Sequence, residues 1–255
     1  MEKFGVFFED PIYLLYKNYL YNYLVRRWVI RKNLAANRFK TVLELGCGIS
    51  PVLKLSKQVI WTDLSWRALA FLRKGAKKNE NPPVVASDAT RLPFRDGSLD
   101  GVVCSEVIEH IEKDDEALDE ISRTLAPRGL LFLTCPIHPR YFGFDDELVG
   151  HYRRYEIHPL MQRLEERGFG EFRILPILGL FEKQLMEKIA RLYALLKKGG
   201  EEKRLLSGGI RVAALVLFPF YFLLNYFLAF CVHAQARLVP MKHVVTVGIR
   251  CRKRD

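Results

Sequence analysis

From Thr41 onward the chain alternates short apolar runs with amphipathic stretches, and this switch of period constrains the fold more than any single residue. "TVLEL", "QVIWTD", "PVVASD" and "LDGVVCS" read as four successive strands. Between the second and third, "WRALAFLRK" reads as a helix with Ser65 as its N-cap and Gly75 as its stop. "DEALDEISRTL" is another, with Ala117, Leu118, Ile121 and Leu125 on one face, broken by "PRG" ahead of the buried run "LLFLTC". "PLMQRLEERGF" follows, with Pro159 near its first turn and Gly168 at its end. "FRILPIL" and, far downstream, "HVVTVGIRCRK" read as the last strands. Such alternation predicts an α/β fold, a mostly parallel sheet with helices on both faces.

In an open α/β sheet, ligands bind beyond the C-terminal ends of the strands. The first strand therefore delivers Glu44, Gly46, Cys47 and Gly48 from "VLELGCGIS" to the ligand. The two glycines let the backbone turn sharply and approach closely. A carboxylate at Glu44 would repel a phosphate, but it suits a cationic ligand that carries an ammonium near a sulfonium, such as S-adenosylmethionine. Asp63, followed by Leu64, closes the second strand, where a carboxylate accepts from both ribose hydroxyls. Asp88 follows the third strand, placed for an adenine amino group. A lone Gly-x-Gly is weak, but three carboxylates closing three successive strands are a stronger signal. No Gly-x-x-x-x-Gly-Lys-Ser/Thr occurs, which excludes a P-loop. Ser50 stands where a nicotinamide-binding turn wants a third glycine.

With "VLELGCG", "WTDLS", "ASDATRLPFRDGSLDGVVCSEVIEHI" and "EISRTLAPRGLLFLTCP", the chain resembles class I S-adenosylmethionine-dependent methyltransferases. The likeness is to the subgroup that includes quinone-biosynthesis methyltransferases, and "GHYRRYEIHPLMQRLEERGF" extends it to Phe169. The resemblance implies a Rossmann-like, seven-stranded sheet whose last strand is antiparallel. It implies that Glu44, Gly46 and Gly48 flank the methionine part of the cofactor, that Asp63 takes the ribose, and that Cys47 and Leu64 also belong to the cofactor site. Asp88 and Ala89 would line the adenine, and Cys104 would sit beneath the cofactor. Glu106, His110, His138 and His151 are candidate bases, with His110 reading equally well as a packing residue of the next helix. In "HYRRY", Arg153 is placed to hold a substrate carboxylate or phosphate, with Tyr155 beside it; a surface salt bridge is the competing reading. The five cysteines (Cys47, Cys104, Cys135, Cys231, Cys251) form no Cys-x-x-Cys pair, so reduced thiols and no metal ligands are expected.

Two segments stand outside this core. Ile12, Leu15, Tyr16, Tyr19 and Tyr23 recur at helical spacing, predicting one amphipathic helix from Ile12 to Leu34 with an aromatic face and a basic end. From Ile210 to His233 the chain is apolar, with no charge between Val212 and Val232, long enough as one helix to cross a bilayer. If Val244 to Ile249 rejoin the same sheet, a single crossing is excluded. A hairpin bent near Pro219 or Asn225, an interfacial helix, or a helix against a protein partner remains. The net charge is +11, and basic residues flank the block: Lys197, Lys198, Lys203 and Arg204 before it, Arg237, Lys242, Arg250, Arg252, Lys253 and Arg254 after. Cations on both flanks suit two ends held at one anionic membrane surface better than a nucleic acid.

The chain thus divides into an N-terminal helical segment (1–40), a core (41–178), a basic and apolar helical insertion (179–240), and a last strand with a basic tail (241–255). The expected activity is methyl transfer from S-adenosylmethionine to a small, lipid-like or prenylated acceptor by a peripheral or monotopic protein at the cytoplasmic membrane face. A soluble RNA or protein methyltransferase is one alternative, and a non-catalytic cofactor-binding anchoring subunit is another. "MEKFGVFFEDPIY" shows no secretory pattern. The oligomeric state stays open.

Overall fold

The computed structural model describes residues 16–54, 56, 58–75, 83–198 and 208–255. Its centre is a seven-stranded sheet in the order β3-β2-β1-β4-β5-β7-β6. The strands are β1 (Val42–Leu45), β2 (Val59–Asp63), β3 (Val84–Ala86), β4 (Leu99–Ser105), β5 (Leu125–Pro136), β6 (Phe169–Gly179) and β7 (Val244–Lys253). β1 to β5 pair in parallel. β7 alone runs against its neighbours, lying antiparallel between β5 and β6. The strand order reverses beside β1, which places a crevice at the C-terminal ends of β1 and β4.

Side-chain alternation assigns the two faces. Leu43, Leu45, Val102, Cys104, Leu131 and Leu133 share one core cluster with residues of α3 (Asp114–Thr124) and α5 (Ile157–Glu166). Val42, Val103, Leu130 and Phe132 go to the other, with α1 (Tyr21–Leu34), α2 (Trp66–Gly75) and Val232. The local signals hold at their ends. Ser65 Oγ accepts from the Ala68 N–H at 3.3 Å, and Gly168 adopts φ +82° where α5 turns into β6. A six-residue helix α4 (Phe144–Val149) follows β5, α6 (Leu180–Lys198) follows β6, and α7 (Gly208–Leu238) precedes β7.

Two expectations are corrected. The start of the N-terminal helix at Ile12 lies outside the described residues. Tyr16 to Asn18 are helical, but the chain leaves the helix at Tyr19 and Leu20 and restarts at Tyr21. Leu20 has no side-chain oxygen to cap the new start, and Asn225 supplies one: its Oδ1 accepts from the buried Tyr21 N–H at 3.0 Å. The apolar block, in turn, makes no hairpin at Pro219 or Asn225. Both residues lie inside the single helix α7, 31 residues and so about 46 Å long. Asn225 forces no turn because both ends of its amide are used, Nδ2 donating to the Tyr221 carbonyl one turn back.

One side of α7 packs on α1 and β6, burying Asn225, Val232 and Ala236. The other side carries Val216, Phe220, Leu223, Phe227 and Phe230 at helical spacing, each 64–74 % exposed. β6 and β7 are hydrogen-bonded neighbours, so the excursion through α6 and α7 returns to the sheet it left. Lys203 and Arg204 lie outside the described residues.

Candidate active site

β1 and β4 end side by side, Leu45 paired with Cys104. The turn leaving β1 takes Gly46 to φ +65° and Gly48 to φ +54°, the left-handed region that glycine enters without a Cβ clash. A Cβ at Gly46 would lie 2.5 Å from Val107 Cγ2, whereas one at Gly48 would meet nothing within 4 Å. Gly46 therefore lets the loop after β4 close against the turn, and Gly48 keeps the space beside it open. Asp63 locks this arrangement: Oδ2 accepts from the Gly48 N–H and Oδ1 from the Ser65 N–H, each at 2.8 Å. Cys47 is buried with its N–H on the Thr62 carbonyl at 2.9 Å. Leu64 is exposed. Asp88 is exposed at the end of β3, its Oδ1 accepting from the Thr90 N–H at 2.9 Å and hydroxyl at 2.8 Å. Ala89 packs on the core, and Cys104 is fully buried beneath the turn, with burial pushing its thiol pKa upward.

Glu44 does not present a free carboxylate to this space. Alternation along β1 turns it to the same face as Val42, where it is buried with Oε1 accepting from the Val52 N–H at 2.6 Å and Oε2 from the Leu53 N–H at 2.9 Å. Burial pushes its pKa up to about 8, against the pull of those two N–H groups and of Arg31. It shapes the loop that follows the glycines.

The loop after β4 brings a second cluster to the same crevice. Glu106 sits at φ +55°, a costly backbone for a non-glycine residue, with Oε1 accepting from the Thr134 hydroxyl at 2.9 Å. Arg26 of α1 reaches within 3.9 Å of its other oxygen. His110 and His151 meet edge to face with ring centroids 4.6 Å apart. Glu109, fully buried between the loops, has His151 Nε2 3.9 Å from Oε1. Neither Glu109 oxygen finds a hydrogen-bond partner among the described residues. Burial and the nearby Glu106 charge raise the Glu109 pKa well above the carboxylate range. Burial and His151 lower that of His110, whose ring still opens to solvent at the mouth. One ligand atom from each of Glu109, His110 and His151 lies within 4.8 Å of the others, a donor set that the sequence reading, expecting no metal ligands, missed.

Behind this cluster lies a buried ionic network. Asp146 accepts from His151 Nδ1 at 2.8 Å, from Arg154 Nε at 2.9 Å and from Lys183 Nζ at 2.7 Å. Burial alone would raise the Asp146 pKa, but these three partners hold it well below the usual range. Glu182, also buried, is pushed up to about 7 by burial and by Glu106.

Arg153 and Tyr155 are not available to a substrate in the way their sequence positions suggested. Arg153 Nη1 donates to Asp114 Oδ1 at 2.7 Å, and Tyr155 OH donates to Asp114 Oδ2 at 2.7 Å. Both stabilise the buried carboxylate at the start of α3, which takes Arg163 as well. His138 turns to the Met241 carbonyl at 3.0 Å, away from the histidine pair. The structure thus brings Glu106, His110 and His151 to one crevice and pairs Arg153, Tyr155 and His138 with other groups of the chain. Glu109 had a legible signal, standing directly before His110 and three residues after Glu106 in "EVIEHI". Arg26, Asp146 and Glu182 come from separate helices and have no local signal.

Residues 43–133 match a family described as a methyltransferase domain. The demethylmenaquinone methyltransferase of Streptomyces avermitilis is 31% identical over 124 residues, 47% of this chain and 52% of that protein. A Mycobacterium tuberculosis protein named a probable S-adenosylmethionine-dependent methyltransferase is 30% identical over 168 residues, 63% of this chain and 59% of that one. The chain thus spans between half and three fifths of these relatives. Among solved structures, phosphoethanolamine N-methyltransferase 2 of Haemonchus contortus with S-adenosylmethionine superposes at TM-score 0.58 and 18% identity, covering 90% of this chain and 52% of that one. The [4+2]-cyclase SpnF superposes at TM-score 0.58 and 17% identity, covering 90% and 80%. At such identities the structural likeness speaks for the fold alone.

Proposed function

We propose that this protein, whose residues 43–133 match a methyltransferase domain within a seven-stranded α/β sheet, is a class I S-adenosylmethionine-dependent methyltransferase that transfers a methyl group to a small, lipid-like or prenylated acceptor at the cytoplasmic face of a membrane. The cofactor supplies an electrophilic methyl group on a sulfonium. The residues fit such a ligand. Gly48 opens onto free space, Asp63 is held by two N–H groups at the end of β2, and the Asp88 carboxylate is exposed at the end of β3. Asp63 would hold the ribose hydroxyls, Asp88 the adenine amino group, and Glu106 with His110 and His151 would orient the acceptor and take its proton.

The observation that carries the acceptor class is the outer face of α7. Its exposed apolar stripe borders a groove of about 960 Å³ between α1 and α7, where Trp28, Tyr226 and Phe230 meet Arg27, Arg31, Lys32 and Arg237. An apolar floor rimmed by cations suits the interface of an anionic bilayer, with the helix lying in the plane rather than spanning it. The demethylmenaquinone methyltransferases among the relatives support a small-molecule acceptor. The test is titration with S-adenosylhomocysteine, beside flotation with phosphatidylglycerol-containing liposomes. Wild type should bind the nucleoside and float. Asp63→Ala should bind it more weakly by about 1.5–3 kcal/mol, and Phe220→Glu/Phe227→Glu should bind it normally and stay at the bottom of the gradient. Absence of binding would remove the methyltransferase reading, and binding without flotation would remove the membrane acceptor.

A further inference from the structure

We propose that Glu109, His110 and His151 form a divalent-cation site, a two-histidine, one-carboxylate set for Zn²⁺ or a neighbouring first-row ion, whose open positions take an oxygen of the acceptor. Each residue contributes one donor atom, and these lie within 4.8 Å of one another. Around a tetrahedral ion, ligand atoms at the usual 2.0–2.2 Å stand roughly 3.4 Å apart, so small side-chain rotations complete the set.

Three further observations favour a cation over a merely packed cluster. The first is the Glu109 carboxyl, fully buried with both oxygens lacking a donor among the described residues. Buried polar groups are almost always satisfied, and an orphaned carboxyl beside two imidazoles wants a positive partner. The second is the support behind His151. Asp146 takes its Nδ1 at 2.8 Å, which puts the proton there and leaves the Nε2 lone pair facing Glu109 at 3.9 Å. A carboxylate that orients a histidine through its far nitrogen is the usual second partner of a ligating imidazole. Arg154 and Lys183 pin Asp146 in turn, so the imidazole is held before any ion arrives. The third is access. Glu109 is buried, His151 half-buried and His110 exposed, so the set opens on one side.

That open side adjoins the cofactor turn, because Val107 packs directly against Gly46. Three protein ligands leave at least one coordination position. An acceptor hydroxyl in that position would be oriented by the ion and would give up its proton more readily; with the two imidazoles ligating, Glu106 alone would be left to take it. This role rests on the methyltransferase reading, and it narrows the acceptor to one bearing a hydroxyl. Binding of the ion itself does not depend on that reading.

The test is calorimetric titration of the full chain, stripped with a chelator, with ZnCl₂, and a parallel titration with S-adenosylhomocysteine. Wild type should take one equivalent of Zn²⁺. Glu109→Gln and His110→Ala should each weaken that binding by at least ~10-fold while S-adenosylhomocysteine still binds, and Asp146→Asn should weaken it by ~10–100-fold through His151. Co²⁺ in the wild-type protein should give the visible absorption of a low-coordinate ion, saturating at one equivalent, which needs no variant to fold. Octahedral Co²⁺ alone, no stoichiometric Zn²⁺ binding, or binding unchanged in Glu109→Gln and His110→Ala would each overturn the site. Zn²⁺ binding without S-adenosylhomocysteine binding would keep the site and sink the methyltransferase reading instead.

Discussion

Gly46 and Gly48 share a left-handed backbone but not a neighbourhood, and replacing each with alanine separates two costs. An L residue in that region costs about 1–2 kcal/mol at either position. At Gly48 that is all, since a Cβ there meets nothing within 4 Å. At Gly46 the Cβ would stand 2.5 Å and 2.9 Å from the two Val107 methyls, about 1 Å inside ordinary contact. Val107 has a stiff, β-branched side chain, and the preceding Glu106 already sits at φ +55°, so the loop has little room to yield. Overpacking of this sort adds about 1–3 kcal/mol. Gly46→Ala should therefore melt roughly 2–12 °C below Gly48→Ala, at about 2–4 °C per kcal/mol for a domain of this size. Thermal melts of both variants, of Val107→Ala and of Gly46→Ala/Val107→Ala would measure it. Trimming Val107 should recover most of the excess. Equal melting of the two glycine variants, or no rescue by Val107→Ala, would mean that Val107 does not crowd Gly46.

Two further outcomes follow from buried polar groups. The Glu182 carboxyl, pushed up to about 7, binds its proton more tightly in the folded state than in the unfolded chain. Its contribution is greatest below the unfolded pKa near 4.5 and is lost as pH rises to about 7. Denaturant melts from pH 4.5 to 7 should show wild type losing on the order of 3 kcal/mol more than Glu182→Gln over that span; parallel curves would contradict the assignment. Asn225→Leu removes the cap on Tyr21 and should cost about 0.5–2 kcal/mol. An unchanged melting temperature would mean that α1 starts without help from α7.

The sheet was legible because each strand carried its own signal. "TVLEL", "QVIWTD" and "LDGVVCS" are apolar runs bounded by turn residues, and Ser65 and Gly168 mark helix ends by local chemistry. The turn leaving β1 was legible for the same reason, with glycines where φ is positive. What sequence could not convey was which partner each polar side chain finds. Arg153 and Arg154 are adjacent, yet one goes to Asp114 and the other to Asp146. Glu44 looked like a ligand group because it precedes the turn, but the parity of a four-residue strand points it into the sheet's other face. Asn225, the one amide in the apolar stretch from Val212 to Val232, suggested a bend; only the distant Tyr21 N–H, 204 residues earlier, explains it.

β7 lies between β5 and β6, paired to both by ladders that span most of its length. A strand in that position is a keystone in time as well as space. During synthesis the greasy α7 leaves the ribosome before the strand that secures its root has been made. Until Val244 to Lys253 emerge, β5 and β6 have no partner between them and their open edges stand exposed beside an apolar helix. The nascent chain is thus most prone to aggregate while β7 is still unmade, and an early bilayer or chaperone contact along α7 would shield it then. Loss of β7 would accordingly part β6 from the five parallel strands rather than fray one margin.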